Sequence, residues 1–187
     1  AYSRHRLDIL EPWDLGLVKY GSSVVHRRSL FLGEIERYVK DAYAKLVDHD
    51  EEPVLQYISG VMKECADADA AGIAMEMQRS IERLRYEELR RGVSLAGPHR
   101  DDVQLILSGR TVKEYASQGQ HKTFLVALKL AEFFYLRERK LEDPLFLLDD
   151  VFSDLDAGRV QRILALVSGM GQTILTTTDE AAFSGAV

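Results

Sequence analysis

Several features that define other classes of protein are missing from this sequence of 187 residues. A single cysteine, Cys65, excludes an internal disulfide and a metal site built from several cysteines. No apolar run approaches the roughly 20 residues that a membrane-spanning helix needs, and the N-terminus has no signal-peptide core. The net charge is -6, so any contact with DNA must be a local patch rather than an overall basic field. The composition is that of an ordinary globular protein, and one cysteine fits a reducing compartment without establishing it. The length suits one sizeable core or two small lobes.

The first half of the chain has mainly helical periodicity. Apolar residues recur at helical spacing from residue 24 to about 46, after an expected interruption near Gly21, and residues 54–60 have strand character. A second amphipathic helix is predicted from about residue 74 to 91. Its five arginines favour either a DNA-facing stripe or a solvated face with Glu–Arg pairs.

From Gly92 onward the sequence changes to short β-rich runs. Residues 93–97 are predicted to form a strand, and residues 103–107 and 111–115 are predicted to form a hairpin about a turn at 108–110. Between them lies a loop motif with two open explanations, internal hydrogen bonds or contact with nucleotide or DNA. Its residues are Gly97, Pro98, His99, Arg100, Asp101 and Asp102.

A helix start precedes the very apolar segment 123–136, which is predicted to be a largely buried helix. Ser117 fits the N-cap position, and Gln120 completes a capping box. Capping does not account for Gly119, a poor helix former in the first turn. A glycine there lets another group approach the N–H donors of a helix N-terminus, which is an anion site. The helix start therefore suggests a phosphate contact, made by the four residues Ser117, Gln118, Gly119 and Gln120.

A second apolar run ends in two adjacent acids. Residues 145–148 predict a strand buried on both faces, and Asp149 and Asp150 close it. Ionised acids resist burial unless they are paired or bound to metal, and α/β proteins place ligands at the C-terminal edge of parallel strands. The two acids therefore either manage a magnesium ion and a water at a nucleotide phosphate, or end a core strand in a polar turn.

A helix over residues 156–167 and a strand over residues 172–178 follow the two acids. Strand, helix and strand at this spacing predict a parallel crossover. The crossover would bring Asp149, Asp150 and Thr178 to the same edge of one sheet. The fold class predicted for the second half is therefore α/β.

Three motifs, taken in order and spacing across residues 92–180, resemble the C-terminal part of the bacterial RecF family. RecF proteins are ABC-type ATPases related to SMC heads, and they act in recombinational DNA repair. The motifs are residues 97–102, residues 116–120, and residues 147–151 with 153–156. The resemblance implies a mainly helical second lobe for residues 1–91. It also implies that residues 92–187 are the C-terminal half of a P-loop NTPase-like ATPase lobe.

The resemblance also implies roles for individual residues. The signature motif, which binds the γ-phosphate of ATP held by the opposite protomer, would be Ser117, Gln118, Gly119 and Gln120. In the Walker B strand Asp149 would hold Mg²⁺ and Asp150 would orient or deprotonate the attacking water. Asp150 stands where many relatives have the longer glutamate, so slow turnover is expected. Thr178 stands where many relatives have a switch histidine. The D-loop, which crosses the dimer interface, would be Ser153, Asp154, Leu155 and Asp156.

One part of such an ATPase is missing from the sequence. No Gly-x-x-x-x-Gly-Lys-Ser/Thr motif occurs in the chain. Phosphoryl transfer depends on the amides and the lysine of that P-loop, so this chain alone is expected to be inactive. RecF-like proteins carry the P-loop near their N-terminus, and we therefore interpret the chain as a C-terminal fragment.

For the intact protein the resemblance implies a slow, DNA-stimulated ATPase that is cytoplasmic and nucleoid-associated. An ATP-dependent homodimer would clamp double-stranded, single-stranded or gapped DNA and assist RecO and RecR in loading RecA, in DNA recombination, replication and the SOS response. One alternative is another SMC-like ABC ATPase head, although no heptad pattern is sustained here. The other is a non-enzymatic DNA-binding or adaptor module that uses residues 79–100. A P-loop in the upstream open reading frame would favour the ATPase over the module.

Overall fold

The computed structural model describes residues 2–48, 50–62, 68–139 and 144–178, and Cys65 lies outside these ranges. The chain divides into two compact units, unit 1 (Ala1–Gly33 and Gln56–Gln104) and unit 2 (Glu34–Leu55 and Leu105–Val187). Among the described residues, none of the helices combines the length and apolarity required to cross a lipid bilayer. The division into lobes at residue 91 stays a prediction. The elements are α1 (Tyr2–Leu46), β1 (Pro53–Ile58), α2 (Ala70–Arg91), β2 (Asp102–Leu107), β3 (Arg110–Thr111), α3 (Val112–Tyr115), α4 (Gln118–Arg139), β4 (Phe146–Asp149), α5 (Ala157–Val167) and β5 (Thr173–Thr176).

Helix α2 supplies much of the core of unit 1. Ile73, Met77 and Ile81 recur every four residues and are buried, which places them on one face of the helix. They pack with Val25 of α1 and with Ala96. The predicted second helix is thus confirmed, and its apolar stripe is the face that fills the core.

The expected interruption of α1 near Gly21 is wrong, because the helix runs unbroken through it. The hydroxyls of Ser22 and Ser23 both donate to the carbonyl of Lys19, one turn earlier in the same helix. A Cβ at Gly21 would lie 2.9 Å from the sulfur of Met77. Gly21 therefore allows a close approach by α2, and packing outweighs the low helix propensity of glycine.

The prediction of a strand over residues 93–97 is wrong as well. The carboxylate of Glu88, in the last turns of α2, accepts hydrogen bonds from the N–H groups of Leu95 (2.7 Å) and Ala96 (3.4 Å). These donors would pair with a neighbouring strand in a sheet. The side chain takes that role, and the segment follows the end of α2 as an irregular loop.

The predicted hairpin is present with a shorter second strand. Strand β2 pairs antiparallel with β3, and the strand order of this sheet is β1-β2-β3. Ser108 and Gly109 have φ values of 49° and 78°, the left-handed conformation that tight hairpin turns require. Strand β3 ends at Thr111, since residues 112–115 form the short helix α3 instead of the predicted strand.

In unit 2, β4, α5 and β5 form the predicted crossover. Strands β4 and β5 are parallel, and their register aligns Asp149 with Thr176. Between them, α5 buries Val160, Ile163 and Leu164 on one face. Asp149 and the hydroxyl-rich end of β5 therefore lie at the same edge of the sheet, as the sequence predicted.

The prediction that β4 is buried on both faces is wrong for this chain. Phe146 and Leu148 are buried, and the ring of Phe146 packs edge-on against Phe133 of α4 at 5.6 Å. On the opposite face Leu147 is 57% exposed and Ile174 of β5 is 47% exposed. An apolar run alone does not show how many faces of a strand are covered, because this depends on which other layers are present.

This exposed apolar face should make the isolated chain associate with itself. We expect its average mass in light scattering to rise above that of the monomer as concentration increases. Leu147→Lys should reduce this association because it puts a charge in the middle of the face. Leu15→Lys, at a leucine that is 65% exposed in unit 1, is the matched control and should have little effect. A monodisperse wild-type monomer at all concentrations would contradict the prediction.

Candidate functional site

The carboxyl ends of β4 and β5 bring two aspartates and two threonines together. The Thr176 hydroxyl donates a hydrogen bond to Asp149 Oδ1. The Thr178 hydroxyl lies 3.5 Å from Asp150 Oδ1. Asp149 and Asp150 are both exposed, so a ligand can reach them. Sequence reasoning did not single out Thr176, although strand register alone pairs it with Asp149.

Asp150 has an unusual backbone conformation. Its φ is 45°, in the left-handed region, which only glycine, asparagine and aspartate adopt readily. Its N–H donates to the carbonyl oxygen of Thr176 at 3.2 Å and to the Thr176 hydroxyl at 3.1 Å. Strand β5 thereby fixes the point at which β4 ends, and it turns Asp150 out of the strand.

The capping box at the start of α4 is confirmed. The N–H of Gln120 donates to Ser117 Oγ at 3.2 Å, and the N–H of Ser117 donates to Gln120 Oε1 at 2.9 Å. The N–H groups of Gln118 and Gly119 have no carbonyl partner within the helix, because they belong to its first turn. The N-terminus of α4 therefore presents hydrogen-bond donors and a positive dipole end.

Gly119 is explained by a close approach from the segment that follows β4. A Cβ at Gly119 would lie 3.0 Å from Arg159 Nη1 and 3.2 Å from the backbone oxygen of Asp154. A larger residue would push the 153–156 segment away from the helix start. The sequence predicted a close approach at this glycine, and the groups that make it belong to the same chain.

Lys122 also joins the first turns of α4 to the 153–156 segment. Its ammonium lies 2.8 Å from Asp154 Oδ2 and donates a hydrogen bond to Ser153 Oγ. Sequence reasoning missed Lys122, because a lysine in the second turn of a helix resembles any solvated helix residue. Lys122 and Gly119 together hold residues 153–154 against the first turns of α4.

Asp156 caps α5, with its carboxylate accepting from the N–H of Arg159 at 2.9 Å. This hydrogen bond lowers the pKa of Asp156 below its ordinary value. A carboxyl whose pKa is lower in the folded state stabilises the protein above its unfolded pKa, and that stabilisation is lost as pH falls through the folded pKa. The capping hydrogen bond at the start of α5 is therefore favoured at neutral pH and weakened in acid.

The 97–102 motif lies in unit 1 and is held by hydrogen bonds within that unit. The Asp101 side chain is 1% exposed and accepts from the Tyr57 hydroxyl, the Gly60 N–H at 2.8 Å and the Ser59 hydroxyl at 3.4 Å. Arg28 of α1 lies 3.9 Å from it. Burial, followed by the hydrogen bond to Asp101, raises the pKa of the Tyr57 phenol above its usual value.

The other members of the motif hold the loop in shape. Arg100 donates to the carbonyl of Ser94 through two nitrogens, at 3.0 and 2.7 Å, and His99 Nε2 lies 3.2 Å from the same oxygen. Gly97 has a φ of 121°, and a Cβ there would lie 3.1 Å from Leu17. Asp102 accepts only from its neighbour Val103 in the described part of the chain, at 2.8 Å.

The arginines of α2 mostly pair with acids. Arg90 and Arg91 lie 2.7 and 3.0 Å from Glu87, and Arg79 pairs with Glu76. Arg85 bridges to Asp14 of α1. This pattern fits the solvated face with Glu–Arg pairs rather than a free basic stripe.

The sequence matches RecF proteins over nearly its whole length. It is 38% identical over 177 residues to the DNA replication and repair protein RecF of Chloroherpeton thalassium, which covers 94% of this chain. It is 41% identical over 172 residues to RecF of Prosthecochloris aestuarii, covering 92% of this chain, and 38% identical to RecF of Bacillus subtilis, covering 94%. A scan against models of protein families gives no match.

The fold matches as well. The chain superposes on the recombination mediator protein RecF-ATP of the RecFOR pathway with a TM-score of 0.78 and 27% identity, covering 94% of this chain and 47% of that one. For RecF-ATPrS the TM-score is 0.77 at 28% identity, and the match covers 92% of this chain and 46% of that one.

The chain spans about half the length of the curated relatives it matches, 48% of the first and 46% of the other two. Its α/β fold is that of one part of these RecF structures, and the motifs that indicated the resemblance lie within the matched region. In sequence and in fold, this chain matches the C-terminal part of RecF proteins.

Proposed function

We propose that this chain is the C-terminal part of an ATP-dependent DNA-binding protein of recombinational repair, and that it carries half of a composite ATPase site. The main support is the start of α4, where an exposed serine caps the helix in its first turn and Lys122 fastens the 153–156 segment to it. The match to RecF-ATP structures supports the same assignment.

In this proposal the helix start acts on ATP held by a partner protomer. Ser117 Oγ accepts from the Gln120 N–H, and a hydroxyl that accepts can also donate its proton, here to a phosphate oxygen. The Gln118 and Gly119 N–H groups and the helix dipole add donors to the same anion. Residues 153–156, which Lys122 ties to the helix start, form the D-loop in this proposal.

Asp149 and Asp150 serve the ATP of their own protomer. Magnesium takes oxygen ligands and commonly uses only one or two carboxylates, because substrate phosphates supply others. The two exposed aspartates fit that requirement, and Asp149 is the residue that would hold the ion. Bound magnesium would neutralise charge on the phosphates. Asp150, turned out of the strand by its left-handed backbone, would accept a hydrogen bond from the attacking water.

We further propose that the intact protein forms an ATP-dependent homodimer on gapped or junction DNA, hydrolyses ATP slowly and acts with RecO and RecR in loading RecA. DNA binding would rest mainly on phosphate contacts and would weaken with salt. The paired arginines of α2 give the alternative of a DNA-binding module at residues 79–100 less support, because their charges already have acidic partners.

The direct test is Ser117→Arg in the full-length protein that contains this chain. We expect ATP-dependent dimerisation to be lost, because the long cationic side chain fills the space that a partner's γ-phosphate would occupy. ATP binding by the variant's own P-loop should be retained. Sedimentation with and without a slowly hydrolysed ATP analogue measures dimerisation. Titration with a fluorescent nucleotide measures ATP binding.

The matched control is Gln56→Arg, which adds the same side chain at an exposed strand residue outside the motifs. It should dimerise like the wild type. Unchanged ATP-dependent dimerisation of Ser117→Arg would show that the signature assignment is wrong.

A further inference from the structure

A carboxylate from a distant part of the sequence contacts the capping residue of α4. Glu51 lies between α1 and β1, and its Oε1 accepts from Gln120 Nε2 at 2.8 Å. Its other oxygen, Oε2, accepts from the Tyr43 hydroxyl at 2.6 Å. Glu51 and Gln120 are both half-buried, whereas Tyr43 is fully buried. The buried Tyr43 therefore holds one oxygen of Glu51, and the other oxygen of Glu51 holds the Gln120 side chain.

This contact determines which way the Gln120 amide faces. A glutamine amide has one accepting end and one donating end, whereas an ionised carboxylate only accepts. With the amide reversed, its oxygen would face the Glu51 carboxylate and its NH₂ would face the Ser117 N–H, so neither hydrogen bond could form. Glu51 thus selects the orientation in which Gln120 Oε1 accepts from Ser117 at 2.9 Å.

Tyr43 gives this arrangement a rigid base. Its ring is 5.7 Å from the ring of Phe124, two turns into α4, so the residue that holds Glu51 packs on the same helix whose Gln120 contacts Glu51. Burial and the hydrogen bond to Glu51 raise the pKa of the Tyr43 phenol above its usual value, so it remains a donor at neutral pH. The chain Tyr43–Glu51–Gln120–Ser117 is closed at both ends by α4.

We infer that Glu51 is a positioning residue for the phosphate-binding serine, acting through Gln120 and anchored by Tyr43. The inference depends on the proposed role of Ser117 in binding a partner's γ-phosphate. Phosphoryl transfer is sensitive to small errors in the placement of charged and donating groups. Without the Glu51 contact the Gln120 side chain can rotate. The hydrogen bond from the Ser117 N–H to Gln120 Oε1 is then lost, and the Ser117 hydroxyl can move.

The test compares Glu51→Ala, Glu51→Gln and Glu52→Ala in the full-length protein. Glu51→Ala should lower kcat for ATP hydrolysis about tenfold, the loss expected for one charge-assisted hydrogen bond. KM for ATP should change less than about twofold, because ATP binds the P-loop of its own protomer. Glu51→Gln should recover most of the rate, since its carbonyl oxygen can still accept from Gln120 Nε2.

Glu52→Ala is the matched control. It removes the neighbouring acid, whose side chain is 74% exposed and pairs with Lys40 at 3.4 Å, and its kinetics should equal those of the wild type. Gln120→Ala combined with Glu51→Ala should be no slower than Gln120→Ala alone, because both changes act on the same contact.

The outcomes separate this inference from the proposed function. If Ser117→Arg abolishes dimerisation while Glu51→Ala keeps the wild-type kcat, the positioning role is overturned and the signature assignment stands. If Ser117→Arg has no effect, the proposed function fails first. A Glu51→Ala defect that adds fully to Gln120→Ala, or that Glu51→Gln does not relieve, overturns the route through Gln120.

Discussion

Asp150→Asn is expected to slow ATP hydrolysis by the full-length protein about a hundredfold, the lower end of what a positioned general base contributes. The amide has the shape of the carboxylate but neither its charge nor its basicity. Asparagine tolerates the left-handed φ of 45° as well as aspartate does, so the backbone should not change. The hydrogen bonds from residue 150 to Thr176 involve only the backbone N–H and should persist.

Because the groups proposed to bind phosphate are intact, Asp150→Asn should still bind ATP and dimerise. A phosphate-release assay measures the rate, and sedimentation measures the dimer. Asp41→Asn, which neutralises an exposed aspartate on α1, is the control and should hydrolyse ATP at the wild-type rate. Wild-type hydrolysis by Asp150→Asn would remove Asp150 from the proposed chemistry.

Asp101→Ala is expected to cause the largest loss of stability. The side chain is 1% exposed and receives hydrogen bonds from Tyr57, Ser59 and Gly60. Removing it leaves these donors without an acceptor, and each such loss costs about 1–3 kcal/mol where water cannot replace it. Since Gly60 and Arg28 are partly accessible to water, we expect the free energy of unfolding to fall by about 2–3 kcal/mol.

Two measurements check this expectation. The urea midpoint should fall, and hydrogen exchange at the Gly60 amide should become faster, because Asp101 is the acceptor of that N–H. Asp102→Ala is the matched control in the next position. That side chain bonds only to the adjacent Val103 N–H in the described structure, so its loss should cost less than about 0.5 kcal/mol. Equal effects of the two variants would contradict the role of Asp101 as the centre of the loop.

The hydrogen bonds of the 97–102 motif favour one of its two explanations. Asp101, Arg100 and His99 all contact groups within unit 1, and these contacts account for the loop without a ligand. Stability measurements on Asp101→Ala therefore also test whether this motif is structural. A variant that loses ATP or DNA binding with unchanged stability would favour the ligand explanation instead.

Local patterns in the sequence determined much of the candidate site. The capping box at Ser117 and Gln120 depends on a spacing of three residues, and the parallel pairing of β4 with β5 follows from strand, helix and strand in order. A helix period or a cap involves groups a few residues apart, so the amino acids themselves specify it. The match to RecF proteins confirms the resemblance that these motifs indicated.

Only the tertiary structure decided which distant groups meet. Nothing in the sequence singles out Glu51 as the partner of Gln120, 69 residues later, or Lys122 as the partner of Asp154. Residues 93–97 resemble a strand locally, yet Glu88 takes their hydrogen bonds. The pair Asp149 and Asp150 marked the site from the sequence alone. Long-range packing, which no local period encodes, decided three further features of the site. They are the hydroxyl that holds Asp149, the turn that exposes Asp150 and the open face of β4.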